Sequence, residues 1–229
     1  MSGEYSKGIC ELFEDFSTDN GTAASGYGGL TETAVDSGAQ DITDKHGGWW
    51  RMTLPAGGAD ALSIAGERAW EVDEGHPLIF ETRLTTSSVT DFCICVGFGD
   101  DVDSDSLAIL FEDEAGAIAS NCADGFAFLV EGDQDATWQA VAVDTDIDKT
   151  QEALTLGADI AADTIQTLRL EANPNDSGTV KYFIDGELVA TKTSWFDSSI
   201  VYCPILSTDD RDVAANVDFD YLYVMAPRS

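Results

Sequence analysis

Asp101, Asp103, Asp105 and Glu112 stand at the spacing of positions one, three, five and twelve of a calcium-binding loop, where hard carboxylate oxygens surround a cation. Position six is Ser106 in place of the glycine that makes the sharp turn, and LAILFE at 107–112 has the pattern of a strand where such a loop has an exiting helix. Three readings stay open: a calcium loop, another cation arrangement using some of these carboxylates, and a solvated acidic loop. The last is the expectation, hence no cofactor, with calcium as the named alternative. Asp144, Asp146 and Asp148 repeat the alternation, but Thr155 occupies their twelfth position.

Two carboxylates across a cleft, one of them protonated, would suit sugar hydrolysis, and Glu81 in LIFETRLT with Glu171 in LRLEA are the candidates that two strands could bring to one sheet. Carboxylates are too abundant here for their presence to identify a catalytic pair. His46 and His76 are the only histidines, both in apparent turns, and no nucleophile elbow, phosphate loop or dinucleotide fingerprint accompanies them. The expectation is a protein without catalytic residues. Trp49, Trp50, Trp70, Trp138 and Trp195 could stack on sugars, plug a core or fill a subunit contact. Trp49 and Trp50 are adjacent, so on a strand they face opposite ways and one of them lies outside the main core.

Acidic residues number 43 against 11 Lys and Arg, a formal net charge of -32, and Asp accounts for 29 of the acids. Such a surface repels phosphate backbones and anionic lipid, which argues against nucleic-acid and membrane partners. Hydrophobic content of 44% is that of a folded chain and not of an acidic disordered one. Self-repulsion on this scale is relieved by salt, and a saline setting is the natural inference. The five cysteines, Cys10, Cys93, Cys95, Cys122 and Cys203, include no CxxC pair. Cys93 and Cys95 share a strand face opposite Ile94 and read as core thiols. MSGEYSKGICELFEDF lacks the basic-then-apolar order of a secretory signal, and no apolar run approaches the length of a membrane span.

Strands dominate the pattern. Apolar alternation or short apolar runs occur at 9–16, 49–54, 59–66, 78–85, 92–99, 107–112, 124–132, 137–143, 165–172, 179–193, 199–207 and 217–226, separated by turn residues. Asp185-Gly186, between two alternating runs, marks a two-residue hairpin. EDEAGAIASN at 112–121 is the one stretch with helical character, and residues 17–47, rich in Gly, Ser, Thr, Ala and Asp, read as a long loop or extended arm. No linker divides the chain, so residues 1–229 are expected to form a single all-β domain, a sandwich or barrel.

FEDF at 13–16, GGWWRMTLPAGGADALSIAG at 47–66 and PLIFETRLTTSSVTDFCICVGFGD at 77–100 are followed in order by DGFAFLVEGD, IQTLRLEANPNDSGTVKYFIDGELVAT and VDFDYLYV. Together these segments resemble the concanavalin A-like jelly rolls found in structural proteins of tailed bacterial and archaeal viruses, over most of residues 9–226. The resemblance implies a sandwich of two antiparallel sheets with a closing DYLYV strand beside the first. It further implies a non-enzymatic virion protein, a capsid decoration or turret component or a tail part, from a virus of a halophilic host. Its partners would be capsid or tail proteins and copies of itself, with a trimer preferred by analogy. The alternative is a lectin-like carbohydrate-binding module that attaches to a glycan surface.

Overall fold

The computed structural model describes residues 9–16, 30–35, 39–43, 48–56, 61–66, 70–72, 77–90, 92–100, 109–114, 117–132, 135–145, 147–148, 152–153, 159–176, 178–210 and 214–227. Two antiparallel sheets make up the fold, a sandwich consistent with the concanavalin A-like jelly roll that the resemblance implies. The first sheet runs β17 (Glu187–Lys192), β16 (Thr179–Ile184), β15 (Gln166–Asn173), β7 (Leu78–Thr86), β19 (Ala215–Pro227), β4 (Trp49–Leu54) and β3 (Ala39–Thr43). Its eighth strand, β1 (Ile9–Glu14), pairs with β19 over Leu222–Pro227, on the edge that β4 occupies over Ala215–Phe219. The second sheet runs β13 (Ile147–Asp148), β12 (Asp135–Asp144), β11 (Gly125–Glu131), β8 (Phe92–Gly99), β18 (Val201–Asp210), β5 (Ala61–Ala65) and β2 (Thr31–Val35). Two short strands flank it, β14 (Glu152–Ala153) on β12 and β6 (Trp70–Glu71) on β18.

The core lies between the inner faces. Every second residue of β15 is buried, Gln166, Leu168, Leu170 and Ala172, while Thr167, Arg169, Glu171 and Asn173 turn outward. Rings from the two sheets interlock edge to face: Phe80 of β7 meets Phe98 of β8 at 5.6 Å, and Tyr182 of β16 meets Phe128 of β11 at 5.1 Å. The polar tips of the buried aromatics are satisfied. Trp138 Nε1–H donates to Gln166 Oε1 at 3.0 Å, and the Tyr182 hydroxyl donates to the Val141 carbonyl at 3.3 Å. Asp185 and Gly186 both have positive φ, 52° and 83°, the mirror-image turn whose twist suits the hairpin of β16 and β17.

Three local expectations change. EDEAGAIASN is no helix: β9 (Phe111–Glu114) and β10 (Ala117–Ser120) form a separate two-stranded hairpin. Ile109, Leu110 and Phe111 at its base, with Ile118, pack with Cys93, Cys95, Cys122, Ala127, Leu129, Val141, Val143, Cys203 and Ile205 in a second apolar cluster, which covers the outer face of the nine-stranded sheet. Burial of that cluster outweighs a weak local helical preference. LAILFE enters its strand only at Phe111. Inside residues 17–47, expected to be a long loop or extended arm, the segments 31–35 and 39–43 are edge strands, one in each sheet. Pairing to β5 and β4 orders segments whose own apolar pattern is weak.

Candidate functional site

The outer face of the eight-stranded sheet brings chemistry together. Alternation aims Glu81, Arg83 and Thr85 outward from β7, Arg169 and Glu171 from β15, and Trp49 and Arg51 from β4. On β19 the register against β7 shifts between Phe219 and Tyr221, leaving Asp220 as the extra residue of a bulge. The bulge resets the phase, so Asp218 and Asp220 share the outward face with Tyr221 and Tyr223, while Phe219, Leu222 and Val224 stay in the core. It sits where β4 ends on β19 and β1 begins.

Each arginine of this face holds carboxylates. Arg51 donates from Nε and Nη2 to the two oxygens of Asp218 at 2.6 and 2.8 Å, a bidentate fork. Arg83 pairs with Asp220, and its guanidinium lies 5.7 Å from the Trp49 ring centre and 5.9 Å from that of Tyr221. Arg169 donates to Glu171 Oε1 at 2.9 and 2.7 Å and to Glu81 Oε2 at 3.2 Å. Burial opposes the charge of Arg169, but its bonds to Glu171 and Glu81 raise its pKa nonetheless. The Tyr221 hydroxyl donates to Glu81 Oε1 at 2.7 Å, and burial followed by that bond pushes the phenol up. Phe13 of β1 is 61% exposed and lies 5.9 Å from Tyr221 and 6.5 Å from Tyr223.

Beside this row opens a cavity of about 420 Å³, whose walls include Trp49, Arg51, Thr85, Asp163, Asn216 and Asp218. The Thr85 hydroxyl is buried there and has no hydrogen-bond partner, and Arg83 Nε is likewise unpartnered two residues away on the same strand face. Buried polar atoms are rarely left unpaired, so two on one strand face mark the place.

The sequence candidates fall differently. Asp101, Asp103 and Asp105 lie outside the described residues, as do His46 and His76, and Glu112 is on β9. Among the described residues no group of three His, Cys, Asp or Glu side chains is arranged to hold a metal. All five tryptophans are buried: Trp50, Trp70, Trp138 and Trp195 belong to the central core, while Trp49 faces the other way and lines the cavity. Four of the five therefore plug the core, one of the three roles open to them, and the aromatic row of the outer face is made by Phe13, Tyr221 and Tyr223. Glu81 and Glu171 do meet, but on a single guanidinium instead of across a groove. Cys93 and Cys95 are buried on the face away from Ile94, and burial pushes the Cys95 thiol up to about 12. The aromatic row was detectable only as a phase change in VDFDYLYVMA, where apolar residues at 217 and 219 give way to 222, 224 and 226.

No family model and no curated protein matches the chain. Solved structures share its fold. A protein of unknown function from Shewanella oneidensis MR-1 aligns over 96% of this chain and 87% of its own, at 10% identity and a TM-score of 0.64. The Emp47p carbohydrate recognition domain aligns over 99% of each chain at 13% identity and TM-score 0.61, and the Bacillus licheniformis β-glucanase over 93% and 97% at 12% and 0.59. The class is thus the concanavalin A-like jelly roll, a fold that resembles carbohydrate-recognition domains. These findings correct the reading of the chain as a capsid decoration or turret component of a tailed virus. Among the matching structures are carbohydrate-recognition and glycosidase domains. The segments behind that reading are strand, turn and core residues, which the sandwich demands of any sequence that adopts it, and they specify the fold without specifying a virion.

Proposed function

We propose that the chain is a non-catalytic carbohydrate-binding module that holds a glycan on the outer face of its eight-stranded sheet. The observation that carries this reading is the cavity beside Trp49 together with the row of Phe13, Tyr221 and Tyr223 and the guanidinium–carboxylate pairs among them. Sugar rings present apolar C–H faces that pack on aromatic rings, and hydroxyls that bond to fixed polar groups around them. The opposite sheet offers less, because the β9–β10 hairpin and its apolar cluster cover its outer face. The fold it shares with carbohydrate-recognition domains supports the same choice. Binding without turnover fits Glu81 and Glu171 as partners of one arginine, which engages both carboxylates.

Calorimetric titration with soluble oligosaccharides tests the proposal, with Phe13→Ala as the control variant. Saturable binding is expected, weakened about five- to tenfold by Phe13→Ala through loss of one ring contact. Little change in Tm should accompany it, since the ring is 61% exposed. Binding indifferent to Phe13→Ala would remove the site from this face, and release of new reducing ends on long incubation would refute the non-catalytic assignment.

A further inference from the structure

The electrostatics of the same face point to the ligand class. Arg51, Arg83, Arg169 and Lys181 turn outward from these strands, against Glu11, Glu81, Glu171, Asp218 and Asp220. In a chain of net charge -32 these nine side chains together leave this face one excess negative charge. Its arginines are nonetheless already engaged: Arg51 by both oxygens of Asp218, Arg83 by Asp220, and Arg169 by Glu171 and Glu81. Lys181 stands opposite Glu171 in the β15–β16 register. A carboxylate or sulfate on a ligand is recognised by an open guanidinium fork, and here the forks of Arg51 and Arg169 are closed by the protein's own carboxylates. Within the cavity, Asp163 and Asp218 stand against Arg51 alone, which leaves its wall with one excess negative charge.

The two unpartnered atoms fit the same chemistry. Thr85 Oγ1, in the cavity wall, can both donate and accept, and Arg83 Nε can donate. A hydroxyl group on a ligand also does both, so it can satisfy either atom without bringing charge into a wall that is already negative.

We infer, resting on the carbohydrate-binding reading, that this face selects a neutral glycan, with the cavity taking a hydroxyl-bearing end of the sugar beside Thr85 and the remainder lying along Tyr221, Tyr223 and Phe13. Uronate and sulfate polymers are disfavoured, because Arg51 and Arg169 already hold the protein's own carboxylates, the cavity wall carries excess negative charge and the surrounding surface repels them.

The test titrates the full chain with three probes of matched length: a neutral β-glucan oligosaccharide, an oligogalacturonate and a heparin oligosaccharide, each in 0.15 M and 1 M sodium chloride. The neutral probe is expected to bind with an affinity that changes less than about twofold between the two salts, since no net charge is neutralised. The anionic probes are expected to bind at neither. Binding of an anionic probe in preference to the neutral one overturns the neutral-glycan inference while leaving carbohydrate binding in place; failure of all three probes overturns the carbohydrate reading itself. Thr85→Val, close in shape but without the hydroxyl, separates the cavity from the rest of the face. It should weaken the neutral probe about three- to tenfold while leaving Tm equal or higher, because a buried unpaired hydroxyl is removed. Unchanged affinity in Thr85→Val refutes the place assigned to the cavity.

Discussion

Replacing Arg169 by Leu tests whether the ion-pair network holds the outer face in shape. The side chain makes three hydrogen bonds to two carboxylates, at 2.7, 2.9 and 3.2 Å, and the three side chains are 30%, 26% and 26% exposed. At that exposure solvent screens the pairs, so their loss costs about 1–2 kcal/mol and not the larger figure of a buried pair. Glu81 and Glu171, which shared the guanidinium, then face each other without a counter-charge, adding about 1 kcal/mol of repulsion at low salt. The total of about 2–3 kcal/mol corresponds to a fall in Tm of roughly 5–10 °C for a chain of this length. Calorimetry in dilute buffer reads it, and molar salt should recover about a third to a half of the loss by screening the repulsive part. Adding Glu81→Gln to Arg169→Leu should restore about 1 kcal/mol, although Glu81→Gln alone destabilises by weakening the bonds from Arg169 and Tyr221. A Tm for Arg169→Leu within 1 °C of the parent, or a further fall in the double variant, would refute the reasoning.

Gly97→Ala should destabilise by about 3 kcal/mol, read as a lower urea midpoint: a Cβ there would meet the Phe126 carbonyl oxygen at 2.4 Å and Ala127 Cα at 2.6 Å, so the β8 and β11 backbones must separate. The four buried thiols Cys93, Cys95, Cys122 and Cys203 should resist a thiol reagent until the chain is unfolded. Cys95 rises from 9.0 to about 12 because burial disfavours the thiolate, so the native state prefers the neutral form. Its contribution is complete below pH 9 and is lost as pH climbs toward 12, which a series of urea midpoints over that range measures; midpoints flat to pH 12 would contradict it. Asp124 is raised by burial and by Asp100, Asp144 and Asp197, against a lowering bond from the Thr145 amide. Asp124→Asn, which keeps an acceptor for that amide, should therefore raise Tm at neutral pH and low salt. The advantage should shrink as acid protonates the parent carboxyl, and an undiminished one would show that charge is not its source.

Much of the fold was legible along the chain. LIFETRLT and QTLRLEAN alternate with period two, and Asp185-Gly186 demands positive φ, so strands β7, β15, β16 and β17 follow from local chemistry. Opposite faces for Trp49 and Trp50, and for Ile94 and its flanking cysteines, follow from the same period. The β9–β10 hairpin did not, because its stability comes from Cys95, Leu129 and Val141 beneath it, far away in sequence. Nor did the strands at 31–35 and 39–43, which are short, interrupted by Glu, Gln and Asp, and ordered by the hydrogen bonds that β5 and β4 offer them.

Composition and alternation thus determined an acidic all-β chain, sandwich or barrel, and the face to which many side chains turn. Which faces meet was decided only in three dimensions. Tyr223 pairs across strands with Phe13 on one side and Glu81 on the other, and Glu81 with Arg169. Period two specifies up or down for each residue and nothing about its neighbour on the next strand. That neighbour is set by sheet order, by the bulge at Asp220 and by the burial that favours one register over all others, and these are properties of the folded chain as a whole.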